Sequence, residues 1–124
     1  MRAVLLPLRF DPAGLQADNA LIGQQEWVTH FNTGYFQGDW SGVALHAAKD
    51  AANAILPMPG AQDYAETALM DRCPHLRAVI ESFKTRLRSV RVLKLSAGSV
   101  IREHRDDGLG WEEGEVRLHV PIVT

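Results

Sequence analysis

A single cysteine, Cys73, stands in the 124 residues, so no intrachain disulfide can form. A reducing, cytoplasmic setting fits that usage, and Cys73 reads as a small buried or capping residue rather than a nucleophile. Neither sign of charge is in large excess. The net charge is -2 and the pI near 6.2, where a nucleic-acid protein would be basic overall. The one cationic cluster, Lys84, Arg86, Arg88, Arg91 and Lys94, fits a solvated helix end running into a strand with its polar residues outward. No apolar run nears the ~20 residues that cross a bilayer. The opening "MRAVLLPLRFDP" is broken by Pro7, Arg9 and Asp11 and carries no small-residue cleavage pattern, so it reads as a strand and not a signal peptide. Repeats and low-complexity tracts are missing as well. The expectation is a cytoplasmic chain that engages neither nucleic acid nor membrane.

What the chain does have is 46% apolar residues, enough for a packed core in one domain. Residues 3–10, "AVLLPLRF", suggest an opening strand that Pro7 confines to an edge. Asp11 and Pro12 then suit the N-cap and first position of a helix whose inner stripe is Leu15, Leu21 and Ile22, ending at Gly23. Trp27, Val28, Phe31, Tyr35, Phe36, Trp40, Val43 and Leu45, divided by "NTG" and "QGD", favour two strands joined by a hairpin-like loop over 26–47. Two prolines and a glycine make 57–63 a loop. A helix begins at Pro74, because Leu76, Val79, Ile80 and Phe83 recur at i, i+3, i+4 and i+7. After Ser89 the period changes to alternation: a strand from Val90, a turn at "SAGS", a strand at "VIREH", a glycine-rich loop "DDGLGWEEGE", and a strand at "VRLHVPIV". The expected class is α+β with a β-rich second half.

The chemistry-bearing residues lie in those last strands. On an extended backbone His104 and Asp106 project to one side. Imidazole nitrogen and carboxylate oxygen suit a divalent transition metal and make two of the three ligands of a 2-His-1-carboxylate site. On the final strand Val116, Leu118, Val120 and Ile122 share one face and Arg117 and His119 the other. Inside a concave sheet Arg117 would need an anion. A dicarboxylate ligand would provide one, and so would Glu103, Asp106 or Glu115. Two other motifs fail. "HRD" as a kinase catalytic loop needs Asn where Trp111 stands, and the acidic loop lacks the spacing of an EF-hand.

Taken together, "LKLSAGSVIREHRDDG" and "EVRLHVPIVT" resemble the aspartyl/asparaginyl β-hydroxylase family and its proline-hydroxylating relatives. These are Fe(II)- and 2-oxoglutarate-dependent dioxygenases built on a double-stranded β-helix, a jelly roll of cupin type. "HFNTGYFQGDWSGVAL" resembles the family's Asn–aromatic–Gly–Trp segment and "DRCPHLRAVIESF" its Cys-Pro helix entry, so the similarity covers most of residues 27–124. The resemblance implies His104 and Asp106 as iron ligands and Arg117 and His119 in the 2-oxoglutarate pocket. It gives Asn32 and Trp40 no catalytic role, and His30, His46 and His75 match no ligand position. The implied reaction couples oxidative decarboxylation of 2-oxoglutarate to succinate with hydroxylation of a C–H bond in an amino acid or a peptidyl Asp or Asn side chain.

In that family a second iron-binding histidine and a cosubstrate-binding arginine follow on later strands, and this sequence reaches Thr124 with neither. The expectation is therefore one incomplete domain, with 1–87 a mixed N-terminal region and 88–124 the first strands of the jelly-roll core. Strand exchange between copies, giving a homo-oligomer, is one way to complete the sheet. The competing reading is a non-catalytic cupin-like module that binds a small carboxylate through Arg117 and His119, or that serves in assembly.

Overall fold

Asp11 accepts a hydrogen bond from the Ala13 amide (3.1 Å) and Pro12 takes the first helical position, so α1 starts as expected and runs Pro12–Ala20, stopping short of Gly23. The computed structural model describes residues 4–30, 33–49, 55, 63–102 and 114–123. Leu15 and Ile22, a heptad apart, both turn inward, whereas Leu21 is 59% exposed and does not join the stripe expected for it. At 3.6 residues per turn, a position six after Leu15 points well away from it.

Asp18 shares the inner face of α1 and is only 1% exposed. Its carboxylate accepts the Leu76 amide at 2.7 Å and meets His75 Nδ1 at 3.0 Å. Those groups open α2, Pro74–Glu81, whose own N-cap, Cys73, makes no side-chain capping bond. One helix thus caps the other across the interior. α2 buries Leu76 and Ile80 with Val79 packed beside them, and Phe83, just past its end, meets Phe10 edge-on at 6.1 Å. Cys73 is fully buried, as the sequence reading expects.

The aromatic stretch 26–47 forms three strands where two were expected: β1 Val28–Thr29, β2 Phe36–Gln37 and β3 Trp40–Ala48. β3 pairs antiparallel with β1, with β4 (Tyr64–Glu66) and with β5 (Val90–Leu95), making a four-stranded sheet. β2 instead pairs with β6, Val100–Ile101. The main core is one layer between helices and sheet: Leu15, Ile22, Leu76 and Ile80 against Val43, Leu45 and Val92, with Met70 and Cys73 filling between them. Arg77 of α2 forks onto both Glu66 carboxylate oxygens of β4 at 2.9 and 3.1 Å. That fork holds the Glu66 carboxyl below its ordinary value, so its contribution is in place above the normal carboxylate range and fades as pH falls through the lowered value.

The class is therefore α+β with antiparallel sheets. Two expected strands are corrected. Residues 4–10 form no strand: Val4 and Leu5 are 81% and 97% exposed, and Pro7 can give no ladder bond. Residues 115–123 join no ladder among the described residues, and Val116 and Leu118, expected on a buried face, are 69% and 46% exposed. Only Val120 and Ile122 of that face pack on the core. Residues 57–62 of the expected loop, and "EH" of "VIREH", lie outside the described residues. Among the described residues no helix is long and apolar enough to cross a membrane.

The cross-helix cap gives a direct test. Asp18→Ala leaves a buried amide without its acceptor and is expected to cost about 2–3 kcal/mol in urea unfolding. Asp11→Ala removes an exposed cap and is expected to cost about 1 kcal/mol. Equal losses would mean that the buried carboxylate is not what fixes α2.

Candidate functional site

The chain approaches the His-x-Asp motif through β6, and neighbouring backbone fixes its course. Gln37 and Phe36 pair with Val100 and Ile101. The turn between β2 and β3 is seated on the turn before β6: the Asp39 amide donates to Ser99 Oγ at 2.8 Å, and Ser96 donates to Asp39 through both its amide (3.0 Å) and its hydroxyl (3.1 Å). Gly38 has φ +102°, and a Cβ there would collide with the Ser99 hydroxyl and lie 2.9 Å from Ser99 Cα. Arg102 then bonds the carbonyls of Gly34 (2.9 Å) and Phe36 (3.3 Å) with its guanidinium and that of Tyr35 (2.6 Å) with its amide. Behind this corner His30 stacks on Trp40 at 3.6 Å between centroids, with Phe36 edge-on to both. His104, Asp106 and Asn32 lie outside the described residues.

Arg117 and His119 lie on the segment 114–123, and both are exposed. Val120 and Ile122 pack on the core, whereas Val116, Arg117, Leu118 and His119 are all exposed, so the expected alternation of a buried and an exposed face does not extend over 116–119. Glu115, one of the acids the sequence offers to Arg117, is bound to Arg88 at 2.6 Å. Gln16 of α1 donates to the Ile122 carbonyl at 3.0 Å. The two residues that the resemblance places at a cosubstrate are thus both exposed.

The remaining histidines each have a partner in the fold. His30 is buried in the aromatic corner, and His75 faces Asp18. His46 meets the Arg88 carbonyl through Nδ1, and because a carbonyl only accepts, Nδ1 carries the proton. In the cationic cluster Lys84, Arg86 and Lys94 are exposed as expected, Lys94 4.4 Å from the Trp27 ring centroid, whereas Arg88 and Arg91 are half-buried and Arg91 donates to the Ile55 carbonyl at 3.1 Å. An open recess of about 470 Å³ lined by His46, Asp63, Tyr64, Thr85, Arg86 and Leu87 went unread in the sequence. No local pattern marks it, since β3, β4 and the α2–β5 connection meet there only after folding. Among the described residues no three His, Cys, Asp or Glu side chains gather to hold a metal ion. Burial, with the Asp18 charge adding to it, pushes the Cys73 thiol up from its usual value.

No family model matches the chain, and no curated protein or solved structure matches it either.

Three outcomes are expected. Gly38→Ala, strained in φ and pressed on Ser99, is expected to lower stability by about 1–3 kcal/mol in denaturant titration. Gly98→Ala, which meets open space but also has positive φ (+79°), is expected to lose only about 1 kcal/mol. Cys73, buried and with a raised pKa, is expected to resist a disulfide reagent at pH 8 until the protein unfolds; rapid labelling of native protein would contradict its burial.

Proposed function

We propose that the chain is a domain of an Fe(II)- and 2-oxoglutarate-dependent hydroxylase of the aspartyl/asparaginyl β-hydroxylase type, acting on an amino acid or a peptidyl Asp or Asn in the cytoplasm. The observation that carries the reading is the joint occurrence of "HRDDG" and "RLHVPIVT", each entered from an alternating segment. The proposed architecture is part of a jelly roll. The antiparallel pairing of β5 with β3 and of β6 with β2 is compatible with it.

The donor set fits the metal as far as it extends: His104 and Asp106 supply one imidazole and one carboxylate, two positions of a facial triad. Iron bound there would supply oxygen activation coupled to decarboxylation of 2-oxoglutarate. The remaining work falls to the chain's own residues. Arg117, with a planar two-pronged donor group, suits a carboxylate of the cosubstrate, and His119 on the same face adds a donor or acceptor beside it. The Gly38–Ser99 contact and the Arg102 bonds set the course of the chain entering His104.

The exposure of Arg117 and His119 favours a second reading, a cupin-like module that binds a small carboxylate without catalysis. Anaerobic titration with Mn(II), a redox-quiet substitute for Fe(II), separates the two. With a third ligand recruited from a partner chain or from another residue of this one, the hydroxylase reading expects Mn(II) binding that 2-oxoglutarate strengthens and that His104→Ala abolishes. Binding of 2-oxoglutarate that ignores both Mn(II) and His104→Ala would leave only the carboxylate module.

A further inference from the structure

We propose that Arg88 is a positioning residue for a carboxylate ligand held by Arg117 and His119, acting through its ion pair with Glu115. This rests on the carboxylate-binding reading of Arg117 and His119, though not on the iron. The segment 115–123 takes part in no ladder among the described residues, so no sheet hydrogen bond to them sets its path. Other contacts hold it at its two ends. At the far end Val120 and Ile122 pack on the core and the Ile122 carbonyl accepts from Gln16. At the near end the anchor is Glu115, whose side chain is 16% exposed and sits 2.6 Å from Arg88 Nη1. Arg117 and His119 lie between those anchors, two and four residues beyond Glu115.

Arg88 is itself fixed to the sheet. Its carbonyl accepts the Nδ1 proton of His46 on β3, and its guanidinium lies 6.0 Å from the ring centroid of Tyr64 on β4. The near end of the segment is therefore tied to the four-stranded sheet through one side chain. A largely buried carboxylate cannot stay where it is once its guanidinium is gone; it must regain water, and the backbone beside it moves outward. Fork-to-carboxylate recognition by Arg117 depends on distance and angle, so that movement lowers ligand affinity although Arg88 never touches the ligand.

The test is titration of the whole chain with 2-oxoglutarate in the presence of a chelator, read by NMR, with thermal melts on every variant. The wild type is expected to bind saturably and Arg117→Met to lose binding. Arg88→Met is expected to weaken it by at least about tenfold, and the exchange Arg88→Glu with Glu115→Arg to restore it to within about threefold. A merely stabilising role would move the melts without that pattern. Unchanged affinity in Arg88→Met overturns the proposal while the carboxylate reading stands. Loss that the exchange leaves unrestored also overturns it, since the guanidinium would then act for itself. Absence of wild-type binding overturns the carboxylate reading and this proposal with it. Should Arg88→Met not fold, Glu115→Gln breaks the same pair from the other side and is judged by the same outcomes.

Discussion

Trp40–Ala48 is buried along nearly its whole length, so both edges of this strand must find hydrogen-bond partners, and the architecture follows from how they do. β1 and β4 share one edge, β5 takes the other, and Thr67 closes the remainder by donating to the Leu45 carbonyl through its amide and to the Ala44 carbonyl through its hydroxyl. The register against β5 slips between Ala44 and His46. That bulge reverses the alternation. Val43 and Leu45 face the helices, whereas Ala44 and, past the bulge, Ala47 face Ile55. His46 emerges beyond it only half-buried, where it meets the Arg88 carbonyl, so a single irregularity in the central strand links the core to the residue that anchors the 115–123 segment.

The parts of this fold that could be read from sequence are those decided within a few residues. Asp11 with Pro12 announces α1, Leu76, Val79 and Ile80 announce the inner face of α2, and Val90 to Leu95 announce β5, because caps and periodicity are local physics. The parts that could not be read depend on partners distant in the chain. Asp18 looks like a polar residue on a helix, yet it is buried because the amide it caps belongs to Leu76. The apolar run 4–8 has strand-like composition but finds no sheet to join, and composition alone cannot provide one. The bulge in β3 leaves no mark in an alternating pattern.

The site divides in the same way. His104, Asp106, Arg117 and His119 stand out as local motifs whose chemistry can be named from residue type and spacing. What supports the last two could not be foreseen: the sequence offers Glu115 to Arg117, and the fold gives it to Arg88. A similar division holds at the entry to the His-x-Asp motif, where Gly38 looks like an ordinary turn glycine until the Ser99 backbone is found against it. Sequence names candidate groups by their chemistry, and long-range contacts decide how their surroundings are held.

The most direct measurement of the central claim is anaerobic optical titration with Fe(II) and 2-oxoglutarate, because chelation of ferrous iron by a 2-oxo acid produces a visible charge-transfer absorption that neither component gives alone. The account expects a band that requires both additions and disappears in His104→Ala and Asp106→Ala. A spectrum without that band, or a band indifferent to both substitutions, would contradict it.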